Sequence, residues 1–288
     1  SADETVDARD ALLMPGVIDA HVHFREPGLT AKATIASESA AALAGGVTSY
    51  IDMPNTVPPT VTIGDWEDKM ERAARTSASN YAFMLGATAG NLAELQRADY
   101  TTVAAVKVFM GSSTGNMLLD DDPTLRAVFA DQPGHIVVHA EDQGIIDANM
   151  RRFSPLPDPA DMMWHTRIRS SEACVRATAR AMEMAARYGT RLHVAHVTTA
   201  AETALFDPAP TPAGRQITAE VSPHHLLHCS DDYHRLGSRI KMNPAVKTAA
   251  DRDILRRALL EGRLDIIATD HAPHLLADKA GDVLHATS

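Results

Sequence analysis

Residues 17–25 read Val17-Ile18-Asp19-Ala20-His21-Val22-His23-Phe24-Arg25, a short apolar run that closes on two histidines two positions apart. Pro15-Gly16 breaks the chain just before it, and the β-branched Val17 and Ile18 read as the start of a buried strand. Side chains alternate along a strand, so His21 and His23 share one face, roughly 6–7 Å apart along it. Two imidazoles so placed can clamp a metal; they can also be two core histidines satisfied by hydrogen bonds. The choice depends on how often the same ending recurs downstream.

Similar strand-like runs recur at 48–53, 80–86, 104–110, 135–141, 191–197, 216–222 and 265–271. Between them, Lys32–Ala44, Asp65–Ser79, Asn91–Arg97, Pro123–Asp131, His165–Tyr188, Ala200–Phe206 and Ala249–Glu261 carry Ala, Leu, Met and Glu at helical spacing. Thr199-Ala200-Ala201-Glu202 has capping-box form and places a helix start directly after the sixth run. Gly45-Gly46 and Gly262 fall where helices close. Ile136-Val137-Val138 and Asp265-Ile266-Ile267-Ala268 are too continuously apolar for a sheet with one wet face. Eight strands alternating with helices predict an α/β fold, a (β/α)8 TIM-type barrel. A doubly wound open sheet is the alternative, but the chain has no Gly-x-Gly-x-x-Gly turn to support it. No eighth helix follows the eighth strand. Pro208–Pro212 reads as a short loop, so residues 1–288 are expected to form one barrel domain.

Composition narrows the function. A net charge of −10 and the lack of any Lys/Arg cluster argue against a nucleic-acid partner. Two cysteines, Cys174 and Cys229, are too few for a disulfide framework and suit a reducing, cytoplasmic setting. The acidic start at residues 1–7 has no apolar core of a signal peptide, and no run reaches the length of a membrane span.

Chemistry in a barrel gathers where the strands reach their C-terminal ends. The first run ends in His21 and His23, and the fourth carries Lys107 inside an apolar stretch. The fifth ends in His139-Ala140-Glu141, and the sixth in His193-Val194-Ala195-His196. The seventh runs into Glu220, then His224-His225; the eighth ends in Asp270-His271-Ala272-Pro273-His274. Packing does not explain so many ligand-type residues at one rim. Imidazoles and carboxylates suit zinc. A buried Lys107 is costly as an isolated ammonium. As a neutral amine it can take up CO₂ as a carbamate able to bridge two metals; it can instead simply pair with an acid such as Glu141.

The stretches 15–28 (Pro-Gly-Val-Ile-Asp-Ala-His-Val-His-Phe-Arg-Glu-Pro-Gly), 52–56 (Asp-Met-Pro-Asn-Thr), 138–142 (Val-His-Ala-Glu-Asp), 193–199 (His-Val-Ala-His-Val-Thr-Thr) and 269–274 (Thr-Asp-His-Ala-Pro-His) resemble dihydroorotases of the amidohydrolase superfamily. The resemblance implies a metal-dependent cyclic amidohydrolase. Its reaction is the reversible hydrolysis of L-dihydroorotate to N-carbamoyl-L-aspartate in de novo pyrimidine biosynthesis. It implies two zinc ions: His21, His23 and Asp270 on one, His139 and His196 on the other, with Lys107 as a bridging carbamate. Asp120, Asp121 and Asp122 keep open the aspartate bridge of some relatives. A metal-bridged hydroxide would attack the ring carbonyl, with Asp270 as general base and then acid. Arg25, Asn55 and His274 would grip the substrate carboxylate, and Asn243 in Lys-Met-Asn-Pro would face the substrate; the bland alternative for Arg25 is a surface pair with Glu26. His193 is expected to be structural, and His224 and His225 to pack behind the site.

Allantoinases and dihydropyrimidinases share the barrel, but their substrates lack a carboxylate at the equivalent position, so Arg25 and His274 favour dihydroorotase. A non-catalytic scaffold for aspartate transcarbamoylase is the other alternative, set against six filled ligand positions. Relatives continue through an eighth helix and a small β-sandwich, so the chain is expected to be a fragment of a longer protein. A homodimer, with association to aspartate transcarbamoylase as a further option, is the expected assembly. The loop after Gly111 and the one after His274 are candidate lids.

Overall fold

The computed structural model describes residues 7–112 and 117–288. Its strands all run parallel: β1 (Val17–Val22), β2 (Val47–Asp52), β3 (Asn80–Phe83), β4 (Leu85–Gly86), β5 (Val106–Phe109), β6 (Ile136–His139), β7 (Leu192–Val194), β8 (Ile217–Val221) and β9 (Ile266–Ile267). The run predicted at 80–86 is one pass whose pairing changes at Met84. Its first half lies on β2 and its second on β5, with Met84 N–H donating to Asp52 O at 3.2 Å and Leu85 N–H to Ala105 O at 3.1 Å. The ring closes between β1 and the segment after β9, where Val22 sits opposite His271 and His23 N–H donates to His271 O at 2.8 Å. Eight passes make the barrel that the alternation of runs predicts.

Register explains the two buried faces. Lys107, Val137, His193 and Thr218 are mutual neighbours across β5 to β8 and point inward. Their chain neighbours Val106, Val108, Ile136, Val138, Leu192, Val194 and Ala219 face the helices and form the main core. A plug of Met53, Met84, Ala105, Val137 and Ala195 fills the barrel interior.

Helix boundaries differ from the sequence reading in ways that matter. The first helix runs Ile35–Ala44, because Thr34 caps it and accepts from Ser37 N–H, so Lys32 is left in the preceding turn. The span 165–188 breaks into Met163–Ile168 and Ser171–Tyr188, and the break turns Arg169 inward. A further helix, Gln143–Phe153 capped by Asp142, was not anticipated, since Gly144 and Asn149 dilute its apolar spacing. After β9, residues 268–288 form turns with no helix, and Ile18 and Ile267 on the outer edge are 64% and 49% exposed. No helix among the described residues is long and apolar enough to cross a membrane.

Candidate active site

The strands β7 and β9 stop short of their predicted ends, and the residues just past them carry the site. His196 (φ 37°) and Asp270 (φ 52°) take left-handed backbone, as does Arg25 (φ 68°) after β1. Such conformations are costly for residues with side chains and persist where surrounding structure imposes them. Here they swing the side chains over the barrel mouth.

His21 and His23 arrive from β1 on one face, as the alternation of the strand requires. Each uses Nδ1 to donate: His21 to Glu220, and His23 to Asn55 Oδ1 at 2.6 Å. That leaves both Nε2 lone pairs directed at one oxygen, Asp270 Oδ1, at 3.2 and 3.0 Å. Two lone pairs and a carboxylate oxygen brought this close repel one another unless they share a cation. The ligand atoms of the three residues lie within 4.8 Å of one another, and this donor set fits a divalent metal such as zinc.

Behind this triad, the ring centroids of His21 and His196 are 5.4 Å apart, and those of His196 and His139 are 4.7 Å apart. His139 donates from Nε2 to Glu141 at 2.8 Å, so its Nδ1 lone pair faces His196 Nε2 at 3.0 Å. His139 is pushed below its ordinary value by burial, against the opposing pull of Glu141, and His196 by burial together with His139. Lys107 is fully buried among them, and its Nζ has no hydrogen-bond partner. Burial drops the Lys107 pKa to about 8, against the pull of Glu220 and Asp270. The alternative pairing with Glu141 does not occur, because Arg169 has taken that carboxylate. In this second group Lys107 Nζ and His196 Nδ1 are both buried without a hydrogen-bond partner, and the two imidazoles beside an amine are donors of the kind a metal takes. Asp121 caps the helix at 122–131, and Asp122 pairs with Arg126 and Arg180, so neither joins the centre.

The triad opens into a cavity of about 210 Å³ whose lining includes Arg25, Asn55, His224, Asn243 and His274. Arg25 is 2% exposed and donates from Nε to Pro273 O at 3.0 Å, which rules out the surface pair with Glu26. Glu26 instead accepts from Ile35 N–H at the helix start. Arg239, Lys241 and Lys279 add positive charge, and among the described residues Asp270 is the one side-chain carboxylate in the lining. Burial, Lys241 and Arg25 lower Lys279 to about 8. Asn243 Nδ2 donates to Ser288 Oγ at 2.7 Å, and both line the cavity. As expected, His193 is structural, bonded to Thr218 and Glu220, and His225 packs against Ser222 and Pro244; His224, expected behind the site with it, instead lines the cavity. The candidate lid after Gly111 falls largely on 113–116, outside the described residues.

Sequence reasoning missed Arg169, Lys32, Lys241 and Lys279, and gave Glu220 no role. Glu220 had a signal, since it shares the inward face of β8 with Thr218. The cations had none, because their partners are distant in the chain.

The amidohydrolase family model matches residues 12–287. The chain is similar to the dihydroorotase of Halobacterium salinarum, at 38% identity over 98% of this chain and 65% of that protein. It is 33% identical to the dihydroorotase of Methanosarcina mazei, over 100% of this chain and 64% of that protein. Among solved structures, the L-hydantoinase (dihydropyrimidinase) from Arthrobacter aurescens superposes with a TM-score of 0.88 at 29% identity, over 95% of this chain and 62% of that one. The chain spans just under two thirds of the length of these relatives.

Proposed function

The chain belongs to the amidohydrolase family, and from that premise we propose that it is the catalytic barrel of a dihydroorotase, interconverting L-dihydroorotate and N-carbamoyl-L-aspartate. The observation that carries the reading is the cavity itself. A metal-ligand triad opens directly onto a lining rich in cations, with Arg25 and His274 beside Asp270. An anionic ring substrate neutralises that lining, whereas a neutral ring such as that of a hydantoin leaves it uncompensated. The naming of relatives as dihydroorotases points the same way.

In this reading His21, His23 and Asp270 hold one zinc ion, and His139, His196 and a carbamate on Lys107 hold the second. When bound, the ions polarise the ring amide carbonyl and acidify the attacking water. Lys107, unpaired and with its pKa lowered, has the free amine needed to take up CO₂. Asp270 takes the proton from the water and delivers it to the departing ring nitrogen, and in the reverse direction it returns it. Arg25, Asn55 and His274 hold the substrate carboxylate outside the reacting amide, and Asn243 closes the opposite wall. Glu220 and Glu141 keep the ligand imidazoles in the tautomers that present lone pairs. The unpaired buried cysteines Cys174 and Cys229 support a reducing, cytoplasmic setting.

The test is ring opening of L-dihydroorotate by zinc-loaded protein, with allantoin and dihydrouracil alongside and Asp270→Ala as control. Turnover of dihydroorotate alone, lost in the variant, is the expected result. Preference for either neutral ring would overturn the substrate assignment. A ¹³C-carbamate resonance after labelling with ¹³CO₂, missing in Lys107→Met, tests the bridge.

A further inference from the structure

His274 sits between two groups that can only donate. Arg25 Nη2 is 3.0 Å from its Nε2, and Lys32 Nζ is 3.0 Å from its Nδ1. Burial, with Arg25, Lys32 and Lys279 nearby, lowers the His274 pKa to about 4, so the ring is neutral near pH 7. A neutral imidazole has one N–H and one lone pair. One of the two contacts is therefore a hydrogen bond, and the other sets two N–H groups face to face.

The two sides of the ring are not equivalent. Arg25 and His274 line the cavity that holds Asp270; Lys32 does not. Lys32 borders a neighbouring cavity of about 390 Å³ that meets the first at His274, Lys241 and Asn243. Its ammonium also lies 3.4 Å from Asp278 Oδ2, which itself stands 3.9 Å from His274 Nδ1, farther than the Lys32 donor.

We propose that Lys32 is a positioning residue: it donates to His274 Nδ1 and so keeps the ring proton on Nε2, where His274 and Arg25 present N–H groups together to the anionic group of the substrate. The clash between the Nε2–H and Arg25 is relieved when a carboxylate accepts from both. The opposite tautomer would turn a lone pair toward the anion and repel it. This assignment rests on the reading of the cavity as a carboxylate site.

The experiment is ¹⁵N NMR of the histidine rings in the zinc-loaded protein, with His274 identified by its loss in His274→Gln. Wild type is expected to show the Nε2–H tautomer, and Lys32→Met the Nδ1–H form, since Arg25 is then the sole donor. Lys32→Arg and Asp278→Asn both keep a donor on Nδ1 and are expected to keep Nε2–H. In parallel, KM for N-carbamoyl-L-aspartate is expected to rise about tenfold in Lys32→Met, in line with loss of one charge-assisted hydrogen bond. The effect on kcat is expected to be smaller, and Lys32→Arg should recover most of the loss. An Nδ1–H ring in wild type, or an unchanged ring in Lys32→Met, would overturn the role of Lys32. Asp278→Asn matching Lys32→Met in KM would overturn it too, by making the ion pair the cause. Wild type with the Nε2–H ring but no turnover of dihydroorotate would instead sink the substrate reading and leave the tautomer assignment standing.

Discussion

Arg169 grips Glu141 at both oxygens, from Nε at 3.1 Å to each and from Nη2 at 2.7 Å to Oε2. Both side chains are buried, and Glu141 in turn fixes the proton of His139. Burial pushes the Glu141 carboxyl up, but Arg169 and His139 outweigh it and hold it well below the usual range.

Removing the guanidinium with Arg169→Met leaves a buried carboxylate without its counterion, which typically costs ~3–5 kcal/mol. Urea unfolding measures this. Glu141→Gln keeps the shape but weakens the hold on His139, and metal affinity is expected to fall about 10–100-fold in a chelator competition. Unchanged affinity would mean that Glu141 only balances Arg169.

The barrel is expected to lose stability as pH falls below about 6.5. Burial lowers His165 to about 3 and His225 to about 4, while each unfolded histidine takes up a proton near 6.5. The unfolded state thus binds more protons across that window, so stability rises with pH and drains away on acidification. Each residue contributes up to ~1.4 kcal/mol per pH unit. Unfolding free energies at pH 7.5 and 5.5 should show a shallower loss in His225→Gln than in wild type; equal slopes would refute the assignment.

Lys69 reaches in from the helix at Ile63–Thr76 to Asp52, 2.6 Å away, with neither side chain exposed. Its Nζ also donates to Met53 O at 2.8 Å, and Asp52 Oδ1 accepts from Phe24 N–H at 2.8 Å. The pair pins the end of β2 beneath the turn that carries Arg25. Lys69→Met is expected to cost ~3–5 kcal/mol, and adding Asp52→Asn to recover part of it. A double variant as unstable as the sum of the two singles would show that the pair is not coupled.

Gly28 has φ 79°, and a Cβ there would come within 1.8 Å of Val57 O. It completes the turn in which Leu29 N–H donates to Arg25 O at 3.0 Å. Gly28→Ala combines a forbidden backbone with a collision against main chain. The expected loss is more than about 1 kcal/mol, with a raised KM because Arg25 is displaced. Wild-type KM in a destabilised variant would separate the turn from the grip on substrate.

The fold was legible because burial on both faces leaves continuous apolar runs, and eight of them are hard to arrange otherwise. His21, His23 and Asp270 were legible for a local reason, since each closes such a run. The state of Lys107 was not. Whether it stands alone depends on Arg169, which lies near the start of the helical span 165–188 that the sequence predicts and instead sits where that span breaks, capturing Glu141. Lys32 was hidden in the same way: it looked like a helical residue, but Thr34 starts the helix two positions later. Pairings between residues far apart in the chain leave no periodic trace.

The ring is thinnest where β1 meets the segment after β9, at the bridge between Val22 and His271. His21 and His23 stand on one bank of that seam, and Asp270 on the other. A cation gripped by all three is a rivet through the hoop at its weakest stave. Chelation should then free the amides of Val22 and His23 to exchange with solvent before those of β5 or β6, because the barrel springs open where its fastener was.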